Sequence, residues 1–459
     1  MSLAMFNLRQ AAQACDGSLQ DAPETVVFTG VSTDSRGIAA GELFVALKGE
    51  NYDGHDYVAA ALEHGAVAAL VDAEWAQSRQ GLPLLAVADT RLALGKLAGA
   101  WRAGFQLPLI GVTGSNGKTT VKEMCASILK AWTGEPASVL ATEGNLNNDI
   151  GLPLMLLRLR SMHRVAVIEM GMNHPGEIDY LSRIAQPTVA VITNAQRAHL
   201  EGLGGLAAVA RAKGEIYAGL AADGVAVINA DDAQAALWRE LAGDREQVDF
   251  SLEGEATITG RYLPHGLGGR LDLVTPQGQA AIELQLPGRH NAANALAAAA
   301  ATLAAGAELG AVVAGLQACR GAKGRLQRKE GEKGSLLIDD SYNANPDSLR
   351  AAIDVLASLP GKKILVLGDM GEVGAATGQF HDEVGGYAKS MGIDLLLGLG
   401  EHAATAVRNF DGGASHYKNI YALIEALRPL LDAQTTVLVK GSRFMKMERV
   451  VEAIAVAQK

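Results

Sequence analysis

Residues 109–120, LIGVTGSNGKTT, decide the fold of this chain. The apolar run 109–112 is typical of a buried strand, and glycines 111, 114 and 117 follow at a three-residue spacing. The next segment predicts an amphipathic helix, because its apolar residues recur at helical spacing: Val121, Met124, Cys125, Ile128, Leu129 and Trp132. A glycine-rich loop at a helix N-terminus gathers backbone amides and the positive end of the helix dipole, which suits a nucleotide phosphate.

The loop also has the side chains that a triphosphate site needs. Lys118 would reach the β and γ oxygens, and the hydroxyl of Thr119 would bind Mg²⁺. The strict spacing of Gly, four residues and Gly-Lys-Ser/Thr is not met, since Val112 stands five residues before Gly117. A glycine-rich turn with an incidental lysine is the alternative, but the strand, loop and helix setting favours a phosphate site. The predicted ATP-binding residues of the loop are Gly114, Ser115, Asn116, Gly117, Lys118, Thr119 and Thr120.

Further apolar runs predict an α/β fold. Each run is short, has Gly, Asn or Asp within the next three positions and alternates with segments of helical period, as in a mostly parallel sheet. The stretch 254–279 alternates and turns often, which predicts a small antiparallel excursion inside the middle domain. The predicted strands are 43–47, 109–112, 165–168, 189–192, 225–228, 336–338, 364–367 and 437–439.

Length and two changes in composition predict three domains. A chain of 459 residues is long enough for about three domains of ~150 residues. A helical segment gives way to a strand near 104–108, and a stretch rich in Gly, Lys and Arg at 319–328 separates an Ala-rich helix from the next strand. The predicted domains are therefore 1–104, 105–322 and 323–459.

Composition excludes several classes of protein. Apolar residues make up 49% and charged residues 20% of the chain, so it is not disordered. No apolar run approaches the roughly 20 residues of a membrane span, and the first ten residues have no secretory h-region. The net charge is −10 and no third of the chain is net positive, which argues against a nucleic-acid partner. Three widely spaced cysteines (Cys15, Cys125, Cys319) predict buried thiols. A cytoplasmic enzyme without membrane insertion is expected.

Three polar residues of the middle third are candidates for a metal site. Glu169 follows the run 165–168, and its carboxylate is a hard donor suited to Mg²⁺, although it could instead cap the next helix. His199 lies in the loop after the run 189–192, and Lys213 lies in a helical segment. Alone, the histidine is typical of a surface loop and the lysine of a solvated helix face. The occurrence of all three residues in the middle third favours a functional role for them.

These residues resemble the Mur ligase family, the ATP-dependent amide-forming enzymes of peptidoglycan precursor synthesis, which has folylpolyglutamate synthetases as relatives. The family's phosphate loop has the Gly-x-x-Gly-x-x-Gly-Lys-Thr form found at 111–119. By this resemblance Glu169, His199 and Lys213 belong to a second magnesium site whose lysine is carbamylated. A carbamate made from CO₂ turns a cationic amine into an anionic oxygen donor. The resemblance therefore implies ATP, two Mg²⁺ ions and a lysine carbamate as cofactors.

The resemblance extends over the whole chain. Asn291 and Asn294, in 288–299 (GRHNAANALAAA), match family residues near the adenine. Arg325 and Asp340 match residues that close on the phosphates and the ribose, although Asp340 by itself could equally end a strand and cap a helix. The fold implied is an N-terminal uridine-nucleotide-binding α/β domain, a central P-loop ATPase domain with a mostly parallel sheet and a C-terminal Rossmann-like α/β domain. The catalytic residues implied are Lys118, His199, Lys213 and Arg325.

Within the family, several stretches favour the member that adds D-alanyl-D-alanine to the UDP-N-acetylmuramoyl tripeptide. They are GNLNNDIGLPL from 144, NAQRAHLEGLGGLAAVARAKGEIY from 194, LGDMGEVG from 367 with HDEVG from 381, and VLVKGSRFMKMERVV from 437. STDSR from 32 and FVALKGENYDGHDY from 44 resemble the family's uridine-nucleotide site, although DSR by itself is typical of a turn. An Arg fork suits the dipeptide carboxylate, and Arg443 with Lys440 and Ser442 is the predicted set, although a solvated loop end is the alternative. The predicted substrate-binding residues are Asp34, Ser35, Arg36, Lys48, His55, Asn145, Asn147, Asn148, Lys440, Ser442 and Arg443.

The reaction implied by the resemblance joins a carboxylate to an amine through an acyl phosphate. A monomer is expected, with a hinge motion at 319–328 that aligns the substrates and excludes water. One alternative is glutamate addition to folate, but folate ligases begin close to their phosphate loop and lack the uridine-like N-terminal third. Another is a nucleotide-binding switch without ligase activity. Whether the third peptide residue is diaminopimelate or lysine stays open.

Overall fold

The computed structural model describes residues 4–197, 203–371 and 373–456, and within these ranges the chain forms three α/β units. Each unit is built on its own sheet, and most strand pairs are parallel, so the predicted fold class is confirmed. Helices cover both faces of the sheets, which explains why the strands are short continuous apolar runs rather than alternating ones. The predicted limits at 104 and 322 lie in connections between sheets.

The first unit holds a five-stranded sheet. Its strands are β1 (Ser18–Gln20), β2 (Val31–Ser32), β3 (Leu43–Val45), β4 (Ala68–Asp72) and β5 (Leu84–Val87). Its helices are Leu8–Cys15, Val58–Glu63, Ala73–Ala76 and Thr90–Ala103. The strand order is β1-β5-β4-β3-β2, in which β1 is antiparallel to β5 and the other pairs are parallel.

The central unit holds a nine-stranded sheet. Its strands are β6 (Leu109–Thr113), β7 (Val139–Ala141), β8 (Val165–Glu169), β9 (Val189–Ile192), β10 (Val225–Asn229), β11 (Glu246–Ser251), β12 (Ile258–His265), β13 (Gly268–Thr275) and β14 (Gly278–Leu284). Its helices are Lys118–Thr133, Gly151–Leu156, Glu177–Ala185, Leu206–Gly214, Ala235–Ala242, Arg289–Ala304 and Leu309–Ala318. The order is β14-β13-β12-β11-β10-β9-β6-β8-β7. The predicted antiparallel excursion is the meander β12–β14, which extends the parallel sheet at one edge.

The last unit holds a six-stranded sheet. Its strands are β15 (Gln327–Glu330), β16 (Leu336–Asp340), β17 (Lys362–Gly368), β18 (Leu395–Leu399), β19 (Ala414–Tyr417) and β20 (Thr435–Lys440). Its helices are Pro346–Ala357, Thr377–Ser390, Ala403–Phe410, Ile420–Leu427 and Glu448–Ile454. The order is β15-β16-β20-β17-β18-β19, and β15 alone is antiparallel to its neighbour among these strands.

The first unit packs on the central one through a continuous apolar core. Leu97 of the helix Thr90–Ala103 belongs to the same buried cluster as Met155 of the helix Gly151–Leu156. The buried Arg102 guanidinium donates from Nε to the Ala185 carbonyl at 3.0 Å. The last unit has two buried apolar clusters, and neither shares a buried residue with the clusters of the other two units. A change in the angle of the last unit would therefore expose less apolar surface than a change between the first two.

Two expectations from composition can be compared with this fold. Cys15, Cys125 and Cys319 are free and buried, as predicted. Burial raises the pKa of Cys15 to about 12, so its thiol is protonated and unreactive at neutral pH.

Among the described helices, none combines the length and the apolar character that crossing a bilayer requires.

Candidate functional site

The phosphate loop connects β6 to the helix Lys118–Thr133 and needs its glycines. Gly114 has φ +146° and Gly117 has φ +84°, backbone conformations that L side chains rarely adopt. A Cβ on Gly114 would lie 1.9 Å from Thr193 Oγ1, and one on Gly117 would lie 2.3 Å from Asn294 Oδ1. Neighbouring segments therefore pack directly against the loop backbone.

The loop after β9 braces the phosphate loop. Ser115 N donates to the Asn194 carbonyl, and Asn116 N donates to Asn194 Oδ1, each at 2.9 Å. The Thr193 hydroxyl donates to the Asn116 carbonyl at 2.6 Å. Lys118 Nζ donates to the Gly114 carbonyl at 2.7 Å, so the ammonium group lies over the loop that is predicted to bind the nucleotide phosphates.

The phosphate loop faces the last unit across a cavity. Arg325, Asn343, Asn345 and Ser348 line the side opposite residues 115–120. The Arg325 guanidinium lies over the Tyr342 ring, 4.3 Å from its centroid, which limits the directions in which the cation can point. Arg325 lies within the 319–328 connection and was predicted to bind ATP. The structure places it opposite the loop that is predicted to bind the phosphates.

An adjoining cavity of about 640 Å³ has the size and polarity for a nucleoside. The predicted Asn291, Asn294 and Asp340 line it, together with Arg325. Asn294 Nδ2 donates to Asn291 Oδ1 at 3.1 Å, and Asn291 Nδ2 donates to the Pro287 carbonyl, so the two amides hold each other in one orientation. His290, which lies in the same stretch of sequence but was not predicted, also lines this cavity. Burial lowers the pKa of His290 to about 4, so its imidazole is neutral at neutral pH.

The structure corrects two of the three residues predicted for the dipeptide carboxylate. Lys440 is buried in the nucleoside cavity, where its Nζ donates to Asp340 Oδ2 at 2.6 Å. Ser442 is buried too, and its hydroxyl accepts from Gly371 N at 2.8 Å. Lys440 Nζ also donates to the Asn343 carbonyl at 3.0 Å and the Ser442 hydroxyl donates to the Ala344 carbonyl at 3.2 Å, so both side chains are buried and engaged inside the last unit. Arg443 differs, because its side chain is 61% exposed and contacts Glu448 at 3.0 Å.

The residues predicted for the uridine nucleotide lie on the first unit. Ser35 is buried, Lys48 is exposed, and Arg36 pairs with Asp34 at 2.7 Å on the surface. The hydrogen bonds from Arg36 lower the pKa of Asp34 to about 2.

The structure corrects the role predicted for His55. The ring is 4% exposed, its Nδ1 pairs with Asp53 Oδ1 at 2.6 Å and its Nε2 accepts from Asp72 N at 3.0 Å. Both nitrogens are occupied, so His55 fixes the end of β4 and has no ring atom left for a ligand.

Glu169 and Lys213 are buried polar groups near the phosphate loop. Glu169 ends β8, and its Oε1 accepts from Asn147 Nδ2 at 2.9 Å. Within the described part of the chain, Glu169 Oε2 and Lys213 Nζ are both buried without a hydrogen-bond partner. Burial and the nearby charge of Lys118 hold the pKa of Lys213 well below its usual range, whereas Glu169 acts in the opposite direction. His199, predicted to join them, lies outside the described residues.

Three other predicted residues lie at the edge of this site. Thr119 lines the phosphate cavity at the start of its helix. Asn148 is exposed, and its Oδ1 accepts from Gly151 N at 2.8 Å, which stabilises a helix start. Asn145 is exposed two residues before Asn147, so of the three asparagines Asn147 is the one that contacts Glu169.

Replacing Gly117 by alanine should weaken nucleotide binding beyond any general loss of stability. Alanine at φ +84° costs about 1–2 kcal/mol of unfolding free energy, and its Cβ would push Asn294 away. Gly134, at φ +66° with open space within 4 Å of where a Cβ would stand, is the matched control on the same helix. Urea unfolding should show a loss for both variants, larger for Gly117→Ala because of Asn294, while binding of a fluorescent ATP analogue should weaken about tenfold only for Gly117→Ala. Equal affinities in the two variants would contradict this.

Three family models match the chain. One described as Mur ligase middle domain matches residues 112–302, one described as Mur ligase, glutamate ligase domain matches 324–443, and one described as Mur ligase family, catalytic domain matches 27–102. The chain is 44% identical over 455 residues to the UDP-N-acetylmuramoyl-tripeptide--D-alanyl-D-alanine ligase of Escherichia coli (strain K12), covering 97% of this chain and 98% of that one.

Solved structures match over nearly the whole length. A crystal structure of MurF from Acinetobacter baumannii superposes with a TM-score of 0.90 at 39% identity, covering 98% of this chain and 99% of that one. MurF ligase from Thermotoga maritima in complex with ADP superposes with a TM-score of 0.81 at 27% identity, covering 92% and 96%.

Proposed function

The chain belongs to the Mur ligase family, and from that premise we propose that it joins D-alanyl-D-alanine to UDP-N-acetylmuramoyl-tripeptide in peptidoglycan precursor synthesis, with cleavage of ATP to ADP and phosphate. The observation that carries the proposal is the phosphate loop facing Arg325 across one cavity, with the nucleoside cavity beside it. The ADP in the Thermotoga maritima relative supports ATP as the nucleotide.

The chemistry requires activation, because a carboxylate is a poor electrophile. Transfer of the γ-phosphoryl group to the tripeptide's terminal carboxylate makes an acyl phosphate, which the dipeptide amine attacks with loss of phosphate. Lys118 and the loop amides bind the phosphates from one side, and Arg325 binds them from the other. Three anionic groups meet in this cavity, so these cations offset repulsion as well as stabilise the charge that develops in transfer.

Glu169 and Lys213 fit a magnesium site if Lys213 is carbamylated. Within the described residues the Lys213 amine is buried without a hydrogen-bond partner, and burial lowers its pKa, so it loses its proton more readily than an exposed lysine. Only a neutral amine can attack CO₂ to form a carbamate with release of a proton. The carbamate and Glu169 would then supply the oxygen donors, with Thr119 on the nucleotide side and His199 as the predicted fourth residue. Bound Mg²⁺ would neutralise the phosphate oxygens.

The remaining substrates are assigned by domain. Asp34, Ser35, Arg36 and Lys48 of the first unit are proposed to hold the uridine nucleotide, with Asn145, Asn147 and Asn148 nearer the peptide. Arg443 is proposed to meet the dipeptide carboxylate, since its exposed fork has the geometry for it. The chain is proposed to act in the cytoplasm as a monomer.

Phosphate release tests the proposal. The protein with ATP and Mg²⁺ should release phosphate only when UDP-N-acetylmuramoyl-tripeptide and D-alanyl-D-alanine are both present, and mass spectrometry should detect the UDP-pentapeptide. Tripeptides ending in diaminopimelate or lysine, assayed side by side, identify the third residue. An equal rate of phosphate release with and without the two substrates would instead favour a nucleotide-binding switch.

A further inference from the structure

An ion-pair network joins the central and last units beside the phosphate cavity. Arg197, in the loop after β9, binds Asp347 through Nε at 3.0 Å and Nη2 at 2.6 Å. Its Nη1 donates to Glu383 Oε2 at 2.9 Å, and Arg350 donates to Glu383 Oε1 at the same distance. The backbone N–H of Arg197 also donates to Asp347 at 2.8 Å. Two arginines and two carboxylates, each partly buried, thus form one neutral cluster across the boundary.

The central side of this network is the segment that holds the phosphate loop. Gln196, the residue before Arg197, accepts from Asn116 Nδ2 at 2.6 Å through its side chain, and its N donates to Ser115 Oγ at 3.0 Å. A movement of Arg197 therefore moves a residue that is bonded to the loop at two points.

The other side of the network is the start of the helix Pro346–Ala357. Asn345 caps this helix by accepting from Ser348 N at 2.9 Å, and its Nδ2 donates to Asn116 Oδ1 of the phosphate loop at 2.7 Å. Asp347 is two residues further on. The same helical turn therefore meets the phosphate loop directly through Asn345 and indirectly through Asp347 and Arg197.

We propose that Arg197 is a positioning residue that locks the last unit against the phosphate loop, so that Arg325 reaches the phosphates during transfer. The proposal rests on the proposed function. Arg suits this role because its planar fork binds Asp347 and Glu383 at once, and each bond is charge-assisted. The buried apolar clusters of the last unit share no residue with that of the central unit, although the partly buried Leu267 of the central unit packs against one of them, so polar contacts of this kind help to hold the angle between the two units.

The test compares Arg197→Gln with two matched variants. Arg350→Gln removes a bond to Glu383 inside the last unit and leaves the bonds of Arg197 in place. Arg239→Gln removes an ion pair with Asp249 that lies inside the central unit. For each variant, kcat and the KM of each substrate are measured, and X-ray scattering gives the radius of gyration with a non-hydrolysable ATP analogue and UDP-tripeptide.

For Arg197→Gln we expect kcat to fall about tenfold, a usual size for a coupling between sites, with the KM of UDP-tripeptide unchanged because the first unit binds it. The liganded radius of gyration should be larger than in the wild type. Arg197→Lys should recover part of kcat, and Arg197→Gln with Asp347→Asn should be no slower than Arg197→Gln, since both remove the same bond. Arg350→Gln should have a smaller effect and Arg239→Gln none.

Unchanged kcat and radius of gyration in Arg197→Gln would overturn the proposal, as would an equal loss in Arg239→Gln. Asp347→Asn weakens the same lock from the other unit and leaves only the pair between Arg197 and Glu383. If Arg197→Gln does not fold, a lower kcat with a larger radius of gyration in Asp347→Asn supports the lock, and no change in either overturns it. If the wild type makes no UDP-pentapeptide, the proposed function fails, and scattering with the ATP analogue alone then decides for or against the lock.

Discussion

Lys118→Ala should lower kcat for phosphate release by about 10³-fold, the upper range for loss of one preorganised charge donor. Lys118 stands at the start of its helix and lines the phosphate cavity, so its ammonium adds a full positive charge beside the amides of the loop. Calorimetry should find binding of UDP-tripeptide nearly unchanged, because the first unit is proposed to hold that substrate.

Lys130→Ala is the matched control, since Lys130 is an exposed lysine near the other end of the same helix. It should leave kcat unchanged. Parallel loss of phosphate release and UDP-tripeptide binding in Lys118→Ala would contradict the assignment of the two substrates to different units. Retention of kcat would remove the loop lysine from phosphoryl transfer altogether.

The parts of the fold that could be predicted are those decided by neighbours in the chain. The spacing of Val121 to Trp132 predicts the helix Lys118–Thr133, and each apolar run forms a strand within a few residues of its predicted limits. The phosphate loop could be recognised for the same reason, because its glycines, its lysine and the helix behind them are contiguous. The order of the strands within each sheet could be determined only from the structure.

The parts of the site that could not be predicted depend on partners far away in the sequence. Lys440 belongs to a motif that was predicted to bind the dipeptide. Its ammonium instead lies in the nucleoside cavity, where it donates to Asp340, which is 100 residues earlier in the chain. His55 stands in a motif of polar residues, but the backbone of Asp72 in β4 occupies its second nitrogen. Arg197 lies 150 residues from Asp347, and no local pattern distinguishes it from a solvated arginine. Such pairings are set by how the units pack.

Lys213→Met should raise thermal stability while it lowers kcat by about 100-fold or more. In the described part of the chain the amine is buried without a hydrogen-bond partner, which costs about 1–3 kcal/mol, and methionine fills a similar volume with no polar atom to satisfy. Measured without Mg²⁺ and in CO₂-depleted buffer, so that no carbamate forms, Tm should rise by a few degrees. The loss of activity follows because methionine cannot carry a carbamate.

Lys122→Met distinguishes this effect from a general gain in apolar burial. Lys122 is also buried in the central unit, but its ammonium contacts the Glu123 carboxylate, so its removal should lower Tm and leave kcat intact. Bicarbonate labelled with ¹³C should give a carbamate resonance in the wild type at mildly alkaline pH that is absent in Lys213→Met. Because burial lowers the pKa of the Lys213 amine, the signal should disappear on acidification only at a lower pH than for an exposed lysine, as protonation of the amine removes the nucleophile. A lower Tm in Lys213→Met, or an active wild type without the resonance, would mean that the buried amine serves the fold rather than the metal site.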